Sequence, residues 1–135
     1  MDVQLLRRRI RTLPGLSPVQ LEAVLTYIEA HLGEPLGIAA LAAQANLSVY
    51  HFCRLFKHTT GVSPYQYILR QRVERAKALL PIATLSLATV ALSCGFASQS
   101  HLTRHFRRAT GSTPRAYRES HARGQNLTGV MENQH

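Results

Sequence analysis

The stretch whose reading decides the fold is Ser98-Gln-Ser-His-Leu-Thr-Arg-His-Phe-Arg-Arg-Ala-Thr-Gly111. Ser98 is a good helix N-cap, because its hydroxyl oxygen can accept from the free N–H groups of a first turn. Leu102 and Phe106 are four residues apart and share one helical face, which Ala109 extends. Gln99, Ser100, Thr103, Arg104 and Arg107 fall on the other side, with amide, hydroxyl and guanidinium groups and no carboxylate. Gly111 is a natural stop, since glycine enters the left-handed backbone beyond a helix end at least cost. A short helix with one apolar seam and one such polar face has what is needed to read base edges in a major groove. An ordinary amphipathic surface helix shows the same pattern, and repetition is what separates the two.

The stretch occurs twice. Ser48-Val-Tyr-His-Phe-Cys-Arg-Leu-Phe-Lys-His-Thr-Thr-Gly61 aligns with it at a shift of 50, matching Ser, His, Arg, Phe and Gly at 48/98, 51/101, 54/104, 56/106 and 61/111. The match continues through Pro64/Pro114 and Tyr67/Tyr117. Upstream the shift is 49, with Leu36-Gly-Ile-Ala-Ala-Leu-Ala over Leu85-Ser-Leu-Ala-Thr-Val-Ala. The one extra residue falls in the intervening turn, where an insertion costs least. Each copy reads as a short helix, a tight turn and a second helix: a duplicated helix-turn-helix.

Around the repeats, Ser17-Pro-Val-Gln20 combines an N-cap, a proline at the first helical position and a capping-box Gln. Leu21, Val24, Leu25, Ile28 and Leu32 follow at helical spacing, ending at Gly33-Glu-Pro35. The first repeat helix spans Leu36 to Ala45, with Leu36, Leu41 and Ala42 inward. Asn46 takes the place of Gly95 in the turn, as the next most tolerant residue of a left-handed backbone. Phe52, Leu55 and Phe56 face inward on the helix after it. Ser63-Pro-Tyr-Gln66 opens a long helix ending near Leu80, before Pro81. Its roughly 17 residues span roughly 25 Å, a spacer suited to holding two helices near the 34 Å of one duplex turn. Ser86 to Cys94 and Ser98 to Thr110 form repeat two, and Thr113-Pro114 opens a short final helix. The expected divisions are a basic arm or linker over 1–16, a first subdomain over 17–62, a connecting helix over 63–80, a second subdomain over 81–121 and a tail over 122–135.

Charge points to the partner. The formal charge is +9, and 45% of residues are hydrophobic, enough for a folded core. Residues 17–47 carry Glu22, Glu29 and Glu34 without Lys or Arg. Residues 48–123 carry Arg54, Lys57, Arg70, Arg72, Arg75, Lys77, Arg104, Arg107, Arg108, Arg115, Arg118 and Arg123 against Glu74 and Glu119. A basic body behind an acidic start implies a surface facing a polyanion. No long apolar run or lipidation motif supports a membrane surface in that role. Cys53 and Cys94 lack metal-ligand or CxxC spacing and read as reduced thiols of a cytoplasmic protein, Cys94 inward and inert, Cys53 more exposed.

From Gly95 to Arg118 the sequence resembles, almost throughout, the signature of the DNA-binding domain of AraC/XylS-type bacterial transcription regulators. Ala42, Leu47-Ser48, Arg54-Leu-Phe-Lys57, Gly61-Val-Ser-Pro64, Tyr67-Ile68, Arg72, Ala76 and Leu79-Leu80 match its first half, and the resemblance covers roughly Ser17 to Glu119. It implies an all-α fold of about seven helices, in two helix-turn-helix subdomains joined by a long helix. It also implies sequence-specific binding of double-stranded promoter DNA, usually with activation through contact with RNA polymerase, in the bacterial cytoplasm at the nucleoid. Carried over, base readout falls on Tyr50, Cys53 and Arg54 in the first repeat and on Gln99, Ser100, Thr103 and Arg104 in the second. Ser48, Lys57, Ser98, Arg107 and Arg108 are the phosphate candidates. Cys53 departs from the polar residue expected there: either it reads a thymine methyl, or repeat one supplies mainly non-specific affinity.

The rival with the most support is a non-specific architectural DNA-binding protein, which the charge alone would satisfy. An enzyme has little to work with. His101 and His105 are four apart, a metal-binding geometry, but no HExxH Glu or third ligand accompanies them. Their expected role, like that of His51, is helix packing or a phosphate contact, and no cofactor or metal is expected. One protomer carries both reading helices, with oligomeric state open. Met1 favours a complete small regulator, whereas the linker-like Arg7–Gly15 favours the C-terminal part of a larger one.

Overall fold

All but one of the described helices begin where a side chain satisfies one of their first N–H groups. A computed structural model of the protein describes residues 3, 4 and 15–122. The basic Arg7–Arg11 segment and the tail expected after Ala122 lie outside the described residues. The helices are α1 (Pro18–Ala30), α2 (Ile38–Gln44), α3 (Val49–Thr60), α4 (Pro64–Leu79), α5 (Leu87–Ser93), α6 (Gln99–Thr110) and α7 (114–122). No strand occurs among the described residues. Ser17 and Gln20 form the full capping box, and Gln20 also donates to the Ala45 carbonyl at 2.9 Å. Ser63 and Gln66 repeat that box at the start of α4, at 3.2 and 3.3 Å. The Ser86 and Thr113 hydroxyls cap α5 and α7 more simply, accepting from Thr89 N–H at 3.0 Å and Ala116 N–H at 3.1 Å. Gly37 is extended (φ −88°, ψ 142°) and forms the N-cap of α2 without a side-chain bond, and α2 starts at Ile38 rather than at Leu36. Leu36 still packs, partly buried, against the core.

The chain packs as two units that divide between Leu69 and Arg70, inside α4. The first unit closes around Leu21, Val24, Ile28, Leu41, Phe52 and Phe56. Its core begins before α1, because Leu16 is buried and donates its N–H to the Thr59 hydroxyl at 3.0 Å. In the second unit Val90, Ala91, Phe96, Leu102 and Phe106 are buried.

The sequence repeat is also a repeat of atomic contacts. Asn46 (φ 56°) and Gly95 (φ 90°) both take the left-handed backbone that turns one helix into the next. Behind them Leu47 N–H donates to the Ala42 carbonyl at 3.0 Å, and Phe96 N–H to that of Ala91 at 2.9 Å. Thr60 and Thr110 hydroxyls lie 2.9 and 2.8 Å from the carbonyls of Phe56 and Phe106. Phe56 meets Tyr67 edge-on at 5.6 Å, and Phe106 meets Tyr117 edge-on at 5.4 Å.

Two expectations are corrected. Ala109, expected to extend the inward face of α6, is exposed. Its counterpart Thr59 is buried because the Gly15–Leu16 segment lies over it, and nothing equivalent covers Ala109 among the described residues of the second unit. The basic body is also less of a surface than its composition implies. Arg72 is only 8% exposed. Arg118 donates from Nε to the Leu80 carbonyl at 2.7 Å, holding the end of α4, and Lys77 pairs with Glu74 at 2.8 Å.

Candidate nucleic-acid interface

In the second unit Ser98 fixes where α6 begins, accepting from His101 N–H at 3.1 Å. Leu102 and Phe106 are fully buried, which sets the rotation of the helix. The opposite face is therefore not free to choose its residues. Gln99, Ser100, Arg104 and Arg107 are exposed and Thr103 is half-buried, and these five line one open concavity. Arg108 is exposed outside it. All four residues expected to read bases thus lie together, beside one phosphate candidate. The face carries two guanidinium groups, one amide and two hydroxyls. It can bond base-edge donors and acceptors while attracting a polyanion.

The first unit presents the equivalent face of α3. Ser48 accepts from His51 N–H at 3.2 Å, and Phe52 and Phe56 hold the inner side. Tyr50, Arg54 and Lys57 are exposed, while Cys53 is half-buried against the core. The concavity here is broader: Ile38 from α2 and Ser63, Pro64 and Tyr65 from the start of α4 join Val49, Tyr50, Cys53, Arg54 and Lys57. Val49 and Tyr65, which sequence reasoning did not select, are 47% and 55% exposed. A signal for Val49 was present, because a shift of 50 carries Gln99 onto it. Ile38 and Tyr65 belong to other elements, and only folding brings them to this face.

The extra residue of repeat two has a structural consequence. Ala97 N–H donates to His101 Nδ1 at 3.1 Å, so the neutral ring carries its proton on Nε2. Without that residue, repeat one pairs His51 Nδ1 with the Ser48 hydroxyl at 2.9 Å. Phe96 stacks on His105 and meets His101 edge-on, and the two imidazole centroids are 4.5 Å apart. Among the described residues no three His, Cys, Asp or Glu side chains gather as a metal site. Burial pushes the His101 imidazole below its ordinary value, with Arg104 and Arg72 adding to it. Burial again dominates for His105, followed by His101, Arg104 and Arg108. Burial pushes the Cys94 thiol up to about 11 despite Arg75 and Arg72, which leaves it a protonated packing residue.

His105 stands where repeat one has Leu55, and its Nε2 is buried with no hydrogen-bond partner among the described residues. Both imidazoles bind protons less readily folded than unfolded. As pH falls below about 6.5, the unfolded chain therefore takes up more protons and stability declines. His105→Leu should stabilise the protein by about 1–3 kcal/mol at neutral pH by removing the unpaired nitrogen. It should also reduce the loss between about pH 7.5 and about pH 5.5. Thermal unfolding at the two pH values measures both, and an unchanged midpoint would contradict the assignment.

Similarity to known proteins is consistent along the chain. A helix-turn-helix domain family model matches residues 41–120. The chain is 42% identical over 91 residues to the probable transcriptional regulator LumQ of Photobacterium leiognathi, covering 67% of this chain and 37% of that protein. It is similar to the DNA-binding domain of AdpA, a global transcriptional factor solved in complex with a target DNA. That match has 40% identity and a TM-score of 0.70, over 76% of this chain and 91% of that one. An AraC-type DNA-binding-domain regulator from Chromobacterium violaceum matches at 33% identity and a TM-score of 0.70, over 76% and 92% of the two chains. The chain spans about a third of the length of the curated relatives it matches.

Proposed function

Because the chain belongs to the AraC-type helix-turn-helix family, a family of DNA-binding regulators and not of enzymes, we propose that it is a sequence-specific transcription regulator. In this reading α3 and α6 enter successive major grooves of a double-stranded promoter site. The observation that carries it is the duplicated reading face: residues 49, 50, 53, 54 and 57 and residues 99, 100, 103, 104 and 107 line equivalent concavities. Neither face contains a carboxylate. The faces differ chemically, so one protomer reads an asymmetric site of two unlike halves about one duplex turn apart. Activation through RNA polymerase follows from the family resemblance as the regulatory outcome.

Arg54 and Arg104 suit guanine O6 and N7, and Gln99 suits adenine N6 and N7. Ser48, Lys57, Ser98, Arg107 and Arg108 border these groups as phosphate contacts. Selection of sites from a random duplex pool tests the reading, since a regulator prefers its site by roughly 10³-fold or more. Equal affinity for all duplexes would identify the architectural alternative. On the selected site, Arg104→Ala should cost about 1–3 kcal/mol and relax preference at one base pair. If every sequence were weakened equally, Arg104 would be a phosphate clamp.

A further inference from the structure

We propose that the first repeat reads thymine C5-methyl groups through Val49, Tyr50 and Cys53, so that its half-site is specified by apolar contact beside the Arg54 guanidinium and the other half-site by hydrogen bonds alone. The inference rests on the DNA-binding reading above and goes further by dividing the two faces. At a shift of 50 the five positions lining the polar concavity of α6 are the α3 positions lining the other. Where α6 has Gln99, Ser100 and Thr103, α3 has Val49, Tyr50 and Cys53. An amide and two hydroxyls give way to an isopropyl group, an aromatic ring and a thiol that is a weak donor. Ile38, Pro64 and Tyr65 widen the apolar lining. The cations are kept, because Arg54 matches Arg104 and Lys57 matches Arg107.

A base edge set against Val49 and Cys53 finds few hydrogen-bond partners. Adenine, guanine and cytosine edges would be dehydrated there without full compensation, which is costly. The thymine C5-methyl is the apolar group that the major groove displays among the four standard bases. The retained Arg54 and Lys57 place a polyanion, rather than a protein surface, at the border of this patch. Tyr50, 70% exposed, presents a ring broad enough to cover a methyl and a hydroxyl at the wet rim.

The test uses the full chain and its selected duplex, with each thymidine replaced in turn by deoxyuridine, which removes only the methyl. At a run of neighbouring positions affinity should fall about fourfold per methyl, the worth of one buried methylene-sized group. Val49→Gln with Cys53→Thr, the second repeat's own residues on an exposed and a half-buried position, should abolish the deoxyuridine penalty at those positions. Penalties that are absent, or that persist in the double variant, overturn methyl reading and leave DNA binding standing. A double variant that changes self-association but not the penalties overturns it in favour of a protein contact. Loss of all site preference in the unmodified protein overturns this proposal and the regulator reading together.

Discussion

DNA affinity should fall about 10³–10⁴-fold between about 50 and about 200 mM salt, a log–log slope near −5 to −7. Each phosphate neutralised by Lys or Arg releases condensed counterions, and about 6–8 such contacts produce this slope. The structure identifies cations suited to making them. Arg54, Lys57, Arg104, Arg107 and Arg108 are exposed on or beside the α3 and α6 concavities, and Arg70 and Arg115 are exposed elsewhere. Arg72 is buried, and Arg118 is engaged by the Leu80 and Ile82 carbonyls. Arg107→Ala should therefore shallow the slope by about 1, whereas Arg118→Ala should lower stability and leave the slope alone. Fluorescence anisotropy over a salt series measures both, and a flat response would remove the nucleic-acid reading altogether.

Phe106→Ala should destabilise the second unit by about 3–5 kcal/mol. The ring is fully buried, and truncation leaves Tyr117 without its edge-on partner and opens a cavity beneath α6. Domains are stable by only about 5–15 kcal/mol, so one such change removes a large share. The first unit has its own Phe56–Tyr67 pair. Amide exchange should therefore lose more protection in α6 than in α3, while urea unfolding shows a lowered midpoint. A loss below about 1 kcal/mol would mean that the site collapses onto the gap, against the packing described.

Much of the fold was legible because its determinants act over three or four residues. Ser17, Ser48, Ser63 and Ser98 each cap the helix expected to follow. Asn46 and Gly95 both take the left-handed turn. Leu102 and Phe106 turn inward as their spacing requires. The polar face of α6 was legible for the same reason, since fixing the seam fixes the residues opposite. The α3 face was only half legible. Tyr50, Arg54 and Lys57 follow from residue type and register, whereas Val49 is marked only by its alignment with Gln99. Ile38 and Tyr65 reach that face from other helices.

By itself, the sequence determined the helices, their caps and the duplicated helix-turn-helix, because hydrogen bonds near helix ends and apolar periodicity are local. It also carries the resemblance to AraC/XylS-type DNA-binding domains, through the residues from Gly95 to Arg118 and their counterparts in the first half. The tertiary structure decided what is open to a ligand. Thr59 is buried where Ala109 is exposed because Leu16 lies over only the former. Arg72 and Arg118 leave the surface charge because the fold buries one and gives the other carbonyls to hold. Exposure depends on what distant segments bring to a position, and local spacing carries no record of that.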